Sequence, residues 1–383
     1  MITTINNKHK KLNVPNLRFK EFQGKWTEEI LGSVAKVVGG GTPDTNIQKY
    51  WNGNIQWFTP SEIGRDKYVT YSLRTISEEG LNKSSAKLLP AGTILLSSRA
   101  TVGECSINNV ECTTNQGFQS LIAKENISNE FLFYLIQTKR KELIRKSCGS
   151  TFLEISANEV RKIKITIPTH KEQGKIANLI SLLDERIATQ NKIIEDLKKL
   201  KSALSYILFS SKCTNHLSYI ANVVMGQSPS SNAYNDQGIG MPLVQGNLDI
   251  SNGKTTPRLY TAEFNQTAEE GNIILTVRAP VGEVAKATKK VCLGRGVCAI
   301  IPHEENMSDF IYQYLTFYKF MWRRYEQGST FTSINGSDVR NILCPEVRNV
   351  SILTLLDEKI STEERTVKLY QLQKLYMLYQ MFI

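Results

Sequence analysis

Apolar residues recur at three- and four-residue steps in two stretches of the chain. Between 173 and 209 they fall at Ile176, Ile180, Leu183 and Ile187, then at Leu197, Leu200, Leu204 and Ile207. Between 349 and 382 they fall at Leu353, Leu356, Ile360 and Val367, then at Leu372, Leu375 and Phe382. Glu, Lys and Gln fill the gaps, and beyond Gly174 neither stretch contains Gly or Pro. This is the pattern of long amphipathic helices with coiled-coil spacing. At about 1.5 Å per residue each spans roughly 50 to 60 Å. A lone helix of that length leaves its stripe unburied, so each is expected to pack on the other.

Elsewhere the period changes. TILLSSRA (93–100), QSLIA (119–123), IKITI (163–167), NIILTV (272–277) and VCAII (297–301) are short β-rich runs bounded by Gly, Pro and Asn, and read as strands. ISNEFLFYLIQTKRKELIRKS (127–147) and MSDFIYQYLTFYKFMWRRYE (307–326) each read as one helix. A Pro-terminated strand, IKITIP or ILCPE, precedes each long helix.

These elements repeat. LGSVAKVVGGGTP (31–43) aligns with LSYIANVVMGQSP (217–229) at an offset of 186 residues. An offset of 179 then carries Arg99 onto Arg278, Glu104 onto Glu283, GSTF at 149–152 onto GSTF at 328–331, and Val160-Arg161 onto Val339-Arg340. Leu-Leu-Asp-Glu recurs at 182–185 and 355–358. A constant offset over some sixty residues marks a tandem duplication. The expected fold is α/β (α+β): a leader at 1–16, a globular repeat at 17–169, a long helix at 170–212, a second repeat at 213–347 and a second long helix at 348–383. The helices are expected to pair as an antiparallel coiled coil with pseudo-two-fold symmetry.

Composition narrows the function. At 383 residues and 41% hydrophobic residues, more than one domain with a real core is expected. No run of eighteen apolar residues occurs and the N-terminus has no apolar h-region, which argues against a membrane span and a secretory signal. Seven cysteines without a CxxC fit reduced thiols and a cytoplasmic protein. No cofactor or metal is expected: the four histidines stand beside no cysteine pair. The net charge of +11 makes a polyanion the economical partner, an unspecific basic surface being the alternative.

The triple glycine 39–41 does not hold a phosphate by any known pattern, since no Gly-Lys-Ser/Thr follows it. The one Gly-Lys-Thr, at 253–255, has Leu248 where the earlier glycine is required. Both copies keep a Gly followed by Thr42-Pro43 or Ser228-Pro229, a turn signal. Pro43-Asp44 gives no nuclease, because Asp44 becomes Ser230 and no Asp/Glu-x-Lys follows within the next few dozen residues.

Arg99 and Arg278 each lie in Arg-Ala-x-Val-Gly-Glu at the end of an apolar strand. Two roles are open: contact with phosphate or a guanine edge, or an ion pair with Glu104 or Glu283. TTNQGF (113–118) faces CLGRGV (292–297), so Asn115-Gln116 becomes Gly294-Arg295. Asn and Gln pair with adenine and Arg with guanine; drift on a surface turn is the other reading. WFTPSEIGRDK (57–67) and LVQGNLDIS (243–251) are equivalent segments with different polar sets. The DNA-binding candidates are Thr42, Thr59, Ser61, Arg65, Arg99, Asn115, Gln116, Ser150 and Thr151 in the first copy, and Ser228, Gln245, Asn247, Arg278, Arg295, Ser329 and Thr330 in the second.

With its duplicated α/β repeats, the Arg-Ala-x-Val-Gly strand, Gly-Ser-Thr-Phe, the terminal Ile-x-Ile-Pro, the EQGKIA…LLDE helix and the leader VPNLRFKEFQGKW, the chain resembles the specificity subunit of type I restriction–modification systems. The resemblance covers the chain from about residue 15 onward; EQGKIA (172–177) is intact, while its second copy reads EVRNVS (346–351). The resemblance implies two target-recognition domains, each reading half of a bipartite double-stranded DNA site in the major groove. Ile176, Ile180, Leu183, Ile187, Leu197, Leu204, Leu353, Leu356, Ile360, Val367 and Leu375 would form the spacer and partner-binding helices. It also implies a complex with two modification subunits that methylate adenine N6, and optionally with motor-nuclease restriction subunits.

No catalytic set accompanies these features. There is no Pro-Pro, hence no Asn/Asp-Pro-Pro-Tyr/Phe element of an adenine methyltransferase, and no complete P-loop for a motor. An autonomous nuclease or methylase would require metal- or cofactor-dependent turnover by the chain alone. A coiled-coil interaction protein whose duplicated domains bind protein or carbohydrate is the alternative, distinguished by the absence of salt-dependent DNA affinity.

Overall fold

The computed structural model describes residues 2–4, 13–149, 153–324 and 333–383. These divide into two units, residues 1–189 with 367–383 and residues 190–366. Each long helix therefore contributes one half to each unit.

The duplication is legible in strand order. In the first unit a five-stranded sheet runs Ala35–Gly39, Gln119–Ala123, Ile94–Leu96, Cys105–Asn108, Tyr68–Val69. In the second, Ala221–Met225, Val297–Pro302, Ile273–Thr276, Val284–Lys286 and Lys254–Thr255 follow the same order, with Ile250–Ser251 added at the edge. A further sheet pairs Cys112–Thr114 parallel with Trp51–Phe58, which pairs antiparallel with Arg74–Ile76. Its counterpart pairs Val291–Leu293 parallel with Met241–Val244, which pairs antiparallel with Leu259–Thr261. Thr27–Ile30 with Lys164–Ile167, and Asn215–His216 with Leu343–Cys344, tie the start of each repeat to the strand before its long helix. Ile94–Leu96 and Ile273–Thr276 are buried throughout, which is why they read as continuous apolar runs rather than alternating ones.

The helix expected over 127–147 is two helices, Asn129–Thr138 and Arg140–Arg145, broken at Lys139 (φ −88°, ψ 0°) without any Gly or Pro. The cause is tertiary: Arg140 lies over Gly103, where a Cβ would come within 2.7 Å of its side chain, and pairs with Glu104 at 2.6 Å. In the second unit Ser308–Tyr318 gives way to a 3-10 segment, Lys319–Arg324, and Lys319 holds Glu283 at 2.5 Å. Arg140 and Lys319 stand at the 179-residue offset, so the duplicated glutamate takes a basic partner from the corresponding position in each copy.

The long helices are His170–Phe209 and Ser351–Met381. In the first unit Ile176, Ile180 and Leu183 are buried on the first helix, Val367, Leu378 and Met381 on the second. In the second unit Ile194, Phe209, Leu353, Leu356 and Ile360 are buried. Ile187, Leu197 and Leu204 are half-buried. Leu375 departs from expectation: it is exposed, together with Leu200 and Leu372. Heptads from the buried Leu353 pass through Ile360, Val367, Lys374 and Met381, so Leu375 falls beside the seam.

The duplicated aspartates fasten the halves of the helices that share a unit. Asp184 accepts from Tyr134 Oη (2.7 Å) and pairs with Lys374 (2.6 Å). Asp357 accepts from Gln313 Nε2 (2.7 Å) and pairs with Lys201 (2.6 Å). Tyr134 and Gln313 again stand 179 residues apart. In the first unit Asp184 meets Lys374 and Arg186 lies over Tyr370, and in the second Lys198 meets Glu364 and Lys201 meets Asp357, so within each unit the two helices are antiparallel. Asp184→Ala and Asp357→Ala are each expected to cost about 1–3 kcal/mol, since each removes two charge-assisted hydrogen bonds. Calorimetry should show a melting temperature lowered by several degrees for each variant; unchanged melting in both would remove the fastening role.

Candidate nucleic-acid interface

The loop that carries the triple glycine packs against the 113–118 turn. A Cβ on Gly40 would lie 2.0 Å from the Asn115 carbonyl oxygen, and one on its equivalent Gly226 would lie 2.1 Å from that of Gly294. Close backbone approach, not an anion, is what both copies preserve here. Gly41 N–H donates to Thr114 O (2.8 Å) and Gln227 N–H to Leu293 O (2.9 Å), so the two loops sit on their turns in the same way.

This seating brings Thr42 to Gln116, whose Oε1 accepts from the threonine hydroxyl at 2.5 Å. In the second copy Ser228 Oγ accepts from the Arg295 backbone N–H at 3.0 Å. The Gln116 side chain is thus tied, whereas Arg295 is held through its backbone and its guanidinium stays exposed. Asn115 turns its Oδ1 inward to accept from Gly117 N–H (2.8 Å). Its outward group is therefore the amide NH2, a donor, and not the donor–acceptor pair that an adenine edge takes.

The paired arginines part company. Neither makes the ion pair that the sequence left open, because Glu104 and Glu283 are taken by Arg140 and Lys319. Arg99 instead pairs with Glu154 at 2.8 Å, opposite it in an isolated bridge. Arg278 bridges in the same way to Ser333, the residue at the corresponding offset. With serine there, Arg278 has no carboxylate partner among the described residues.

Arg278, Arg295, Ser228 and Gln245 all line one cleft of about 580 Å³ in the second unit, with Pro229, Ser231 and Tyr234. None of its lining residues is acidic. Gln245 is set by a buried carboxylate: Asp249 accepts from Gln245 N–H (2.8 Å) and from Arg258 Nε (3.0 Å). The first unit uses Glu62 in the same way, accepting from Thr59 N–H (2.8 Å) and Thr59 Oγ1 (2.6 Å), while Thr59 and Ser61 hydroxyls lie 3.1 Å apart. Asp249, Arg258 and Glu62 were not among the sequence candidates, because a carboxylate that caps a turn has no motif beyond its spacing.

Asn247 opens the short 3-10 segment Asn247–Asp249 and does not line the cleft. Arg65 is exposed, with no carboxylate partner among the described residues. Ser150, Thr151, Ser329 and Thr330 lie outside the described residues. Among those described, no group of three or more His, Cys, Asp or Glu is placed to hold a metal ion, and no helix is long and apolar enough to cross a membrane.

Residues 23–199 and 214–368 match the type I restriction modification DNA specificity domain, once for each copy. The chain belongs to that family. Among curated proteins, the specificity subunit of the type I restriction enzyme MjaIX from Methanocaldococcus jannaschii is 37% identical over 179 residues, 46% of this chain and 41% of that protein. The putative MjaX specificity subunit of the same organism is 30% identical over 247 residues, 58% of each chain. The chain thus spans about half the length of the curated relatives it matches. A solved specificity (S) subunit of a type I system from M. genitalium superposes with a TM-score of 0.63 over 97% of this chain and 99% of that one, at 18% identity, which shows a shared fold. Arg295 of the cleft and Gln116 of the Asn115 turn stand 179 residues apart, at corresponding places in the two specificity domains.

Proposed function

We propose that the chain reads DNA sequence for a type I restriction–modification complex, each specificity domain taking one half of a bipartite double-stranded site. The observation that carries this reading is the second-unit cleft, where Arg278 and Arg295 converge with Ser228 and Gln245 and no carboxylate balances them. Guanidinium groups left without partners suit guanine O6/N7 or phosphate oxygens, and the net charge of +11 favours a polyanion overall. Helices of 40 and 31 residues, about 60 and 45 Å long, suit a spacer that makes the gap between half-sites a fixed length. The chemistry falls to partners: two modification subunits for adenine-N6 methylation and, optionally, restriction subunits.

The test is genome-wide adenine-N6 methylation in a host that carries the cognate methyltransferase, with and without this gene. Methylation that depends on the gene, at a two-part sequence with a constant gap, is the expected result; none, with both proteins stably expressed, refutes the reading. Exchanging residues 213–347 for those of a relative should change one half-site only.

Asn115 supplies a sharper prediction. Its outward amide suits an acceptor on a base, so Asn115→Asp, which keeps the bond from Gly117 N–H and turns an acceptor outward, should move the preference at one base pair toward a donor-bearing edge. The discrimination at stake is about 1–3 kcal/mol. A motif unaltered in the variant would take Asn115 out of base contact.

A further inference from the structure

The first unit holds a second cluster, which no motif announced, in the segment 70–74 leading into the strand Arg74–Ile76. The Arg74 guanidinium lies 3.6 Å from the Trp51 ring centroid and 5.6 Å from that of Trp57, and the two indoles meet edge to face with centroids 5.1 Å apart. Arg74 is exposed and has no carboxylate partner among the described residues. A guanidinium stacked on an indole keeps its donors in one plane, so it meets an acceptor pair at a lower entropic cost than a free side chain. Next to it Tyr71 is 84% exposed and Leu73 87% exposed.

Single exposed apolar side chains are ordinary; these two stand on a segment whose backbone is tied down. Ser72 N–H donates to Gln56 Oε1 (2.7 Å), Ser72 Oγ accepts from Trp57 N–H (2.9 Å), and Leu73 N–H donates to Glu62 Oε1 (2.6 Å). Tight anchoring combined with two protruding large side chains is an arrangement suited to contact with another molecule.

The cluster is continuous with the candidate interface. Glu62, which holds Leu73, also holds Thr59. Trp57 Nε1 donates to Gly41 O (2.9 Å) and Trp51 Nε1 to Asp44 O (3.1 Å), so the tryptophan platform under Arg74 also anchors the loop bearing Thr42. Among the described residues of the second copy no arginine stacks on an indole: Leu243 replaces Trp57 and pairs with Leu259.

We infer that residues 71–74 are a base-reading element of the first specificity domain: Arg74 addresses the O6/N7 acceptor pair of a guanine, and Tyr71 with Leu73 packs on the methyl group of a nearby thymine. This rests on the DNA-reading function proposed above. It also accounts for a recognition surface present in one copy alone, as two half-sites of different sequence require.

The test compares methylated motifs produced by the wild-type chain, Arg74→Lys and the double variant Tyr71→Ala with Leu73→Ala, each with the cognate methyltransferase. Arg74→Lys keeps the charge and removes the planar fork. It should relax one G·C position of one half-site by roughly 5- to 150-fold, with the other half unchanged. The double variant alters only exposed side chains, so folding is preserved, and it should relax a nearby A·T position of the same half. Uniformly weaker methylation at an unaltered motif would assign these residues to the phosphate backbone and overturn the inference. So would wild-type behaviour in both variants. If the wild-type chain itself directs no methylation, the DNA-reading function fails first, and the inference with it.

Discussion

Replacing Arg278 and Arg295 together by alanine is expected to erase recognition of one half-site while sparing the other. A bidentate arginine contact to a base is worth about 1–3 kcal/mol of discrimination, and both side chains line the same cleft without a carboxylate. The comparison that gives the prediction its force is Arg99→Ala. Arg99 sits at the same place in the first copy but already pairs with Glu154 at 2.8 Å, so its removal should cost distinctly less. Affinity for the methylated motif, measured at several salt concentrations, checks both. Loss of arginines that only neutralise phosphates would flatten the salt dependence and weaken all sequences alike; loss of arginines that read bases would lower the ratio of specific to non-specific affinity. Equal effects of Arg99→Ala and Arg278→Ala would show that the exchange of Glu154 for Ser333 has no functional meaning.

The largest effect on stability is expected at Glu172. Its carboxylate is 1% exposed and takes a two-point contact from Arg18, at 2.7 Å from Nε and 2.8 Å from Nη2, with Trp26 Nε1 at 3.3 Å. The leader strand Leu17–Phe19 is thereby bolted to the first turns of the long helix. Glu172→Ala removes the carboxylate that takes two bonds from a buried guanidinium, a loss of about 3–5 kcal/mol. Glu172→Gln keeps the shape and one acceptor and should cost less. Hydrogen exchange in mild urea, read on the strands Thr27–Ile30 and Lys164–Ile167, should show earlier opening in the alanine variant. Exchange as slow as in the wild-type chain would mean that the pair is not what holds the leader.

Glu172 and Gln173 also explain why EQGKIA is intact in one copy only. Gln173 accepts from Ser128 N–H (2.9 Å) and donates to Pro168 O (3.0 Å), closing the junction between sheet and helix. The second copy enters its helix from EVRNVS, where no leader strand needs a bolt.

Periodicity and self-comparison were enough to reveal the two long helices, the duplication and the most buried strands, such as Ile94–Leu96 and Ile273–Thr276, but not the partly exposed Trp51–Phe58. Those signals arise from burial, which each stretch of sequence must satisfy with its own side chains: a seam at three- and four-residue steps, an apolar run for a strand covered on both faces. The glycine before Thr42-Pro43 was legible as something both copies need, although the reason, a carbonyl 2.0 Å from where a Cβ would stand, required the fold. Other features depended on partners distant in sequence. The break at Lys139 has no local cause and comes from the hold of Arg140 on Glu104. Leu375 fits the apolar pattern and still misses the seam, because the buried heptad line through Leu353, Ile360, Val367 and Met381 passes one residue before it.

The reading surface shows the same division. The sequence by itself determined which positions of the two copies correspond, and so that Arg99 matches Arg278 and Asn115-Gln116 matches Gly294-Arg295. Only the tertiary structure decided which of these groups are available to a ligand. Glu154 lies far from Arg99 along the chain and closes it off, Gly117 turns the Asn115 oxygen inward, and Trp51 lifts Arg74 into view. Each outcome depends on a hydrogen bond, a charge or a ring brought close by folding, and such through-space neighbours leave no period in the sequence.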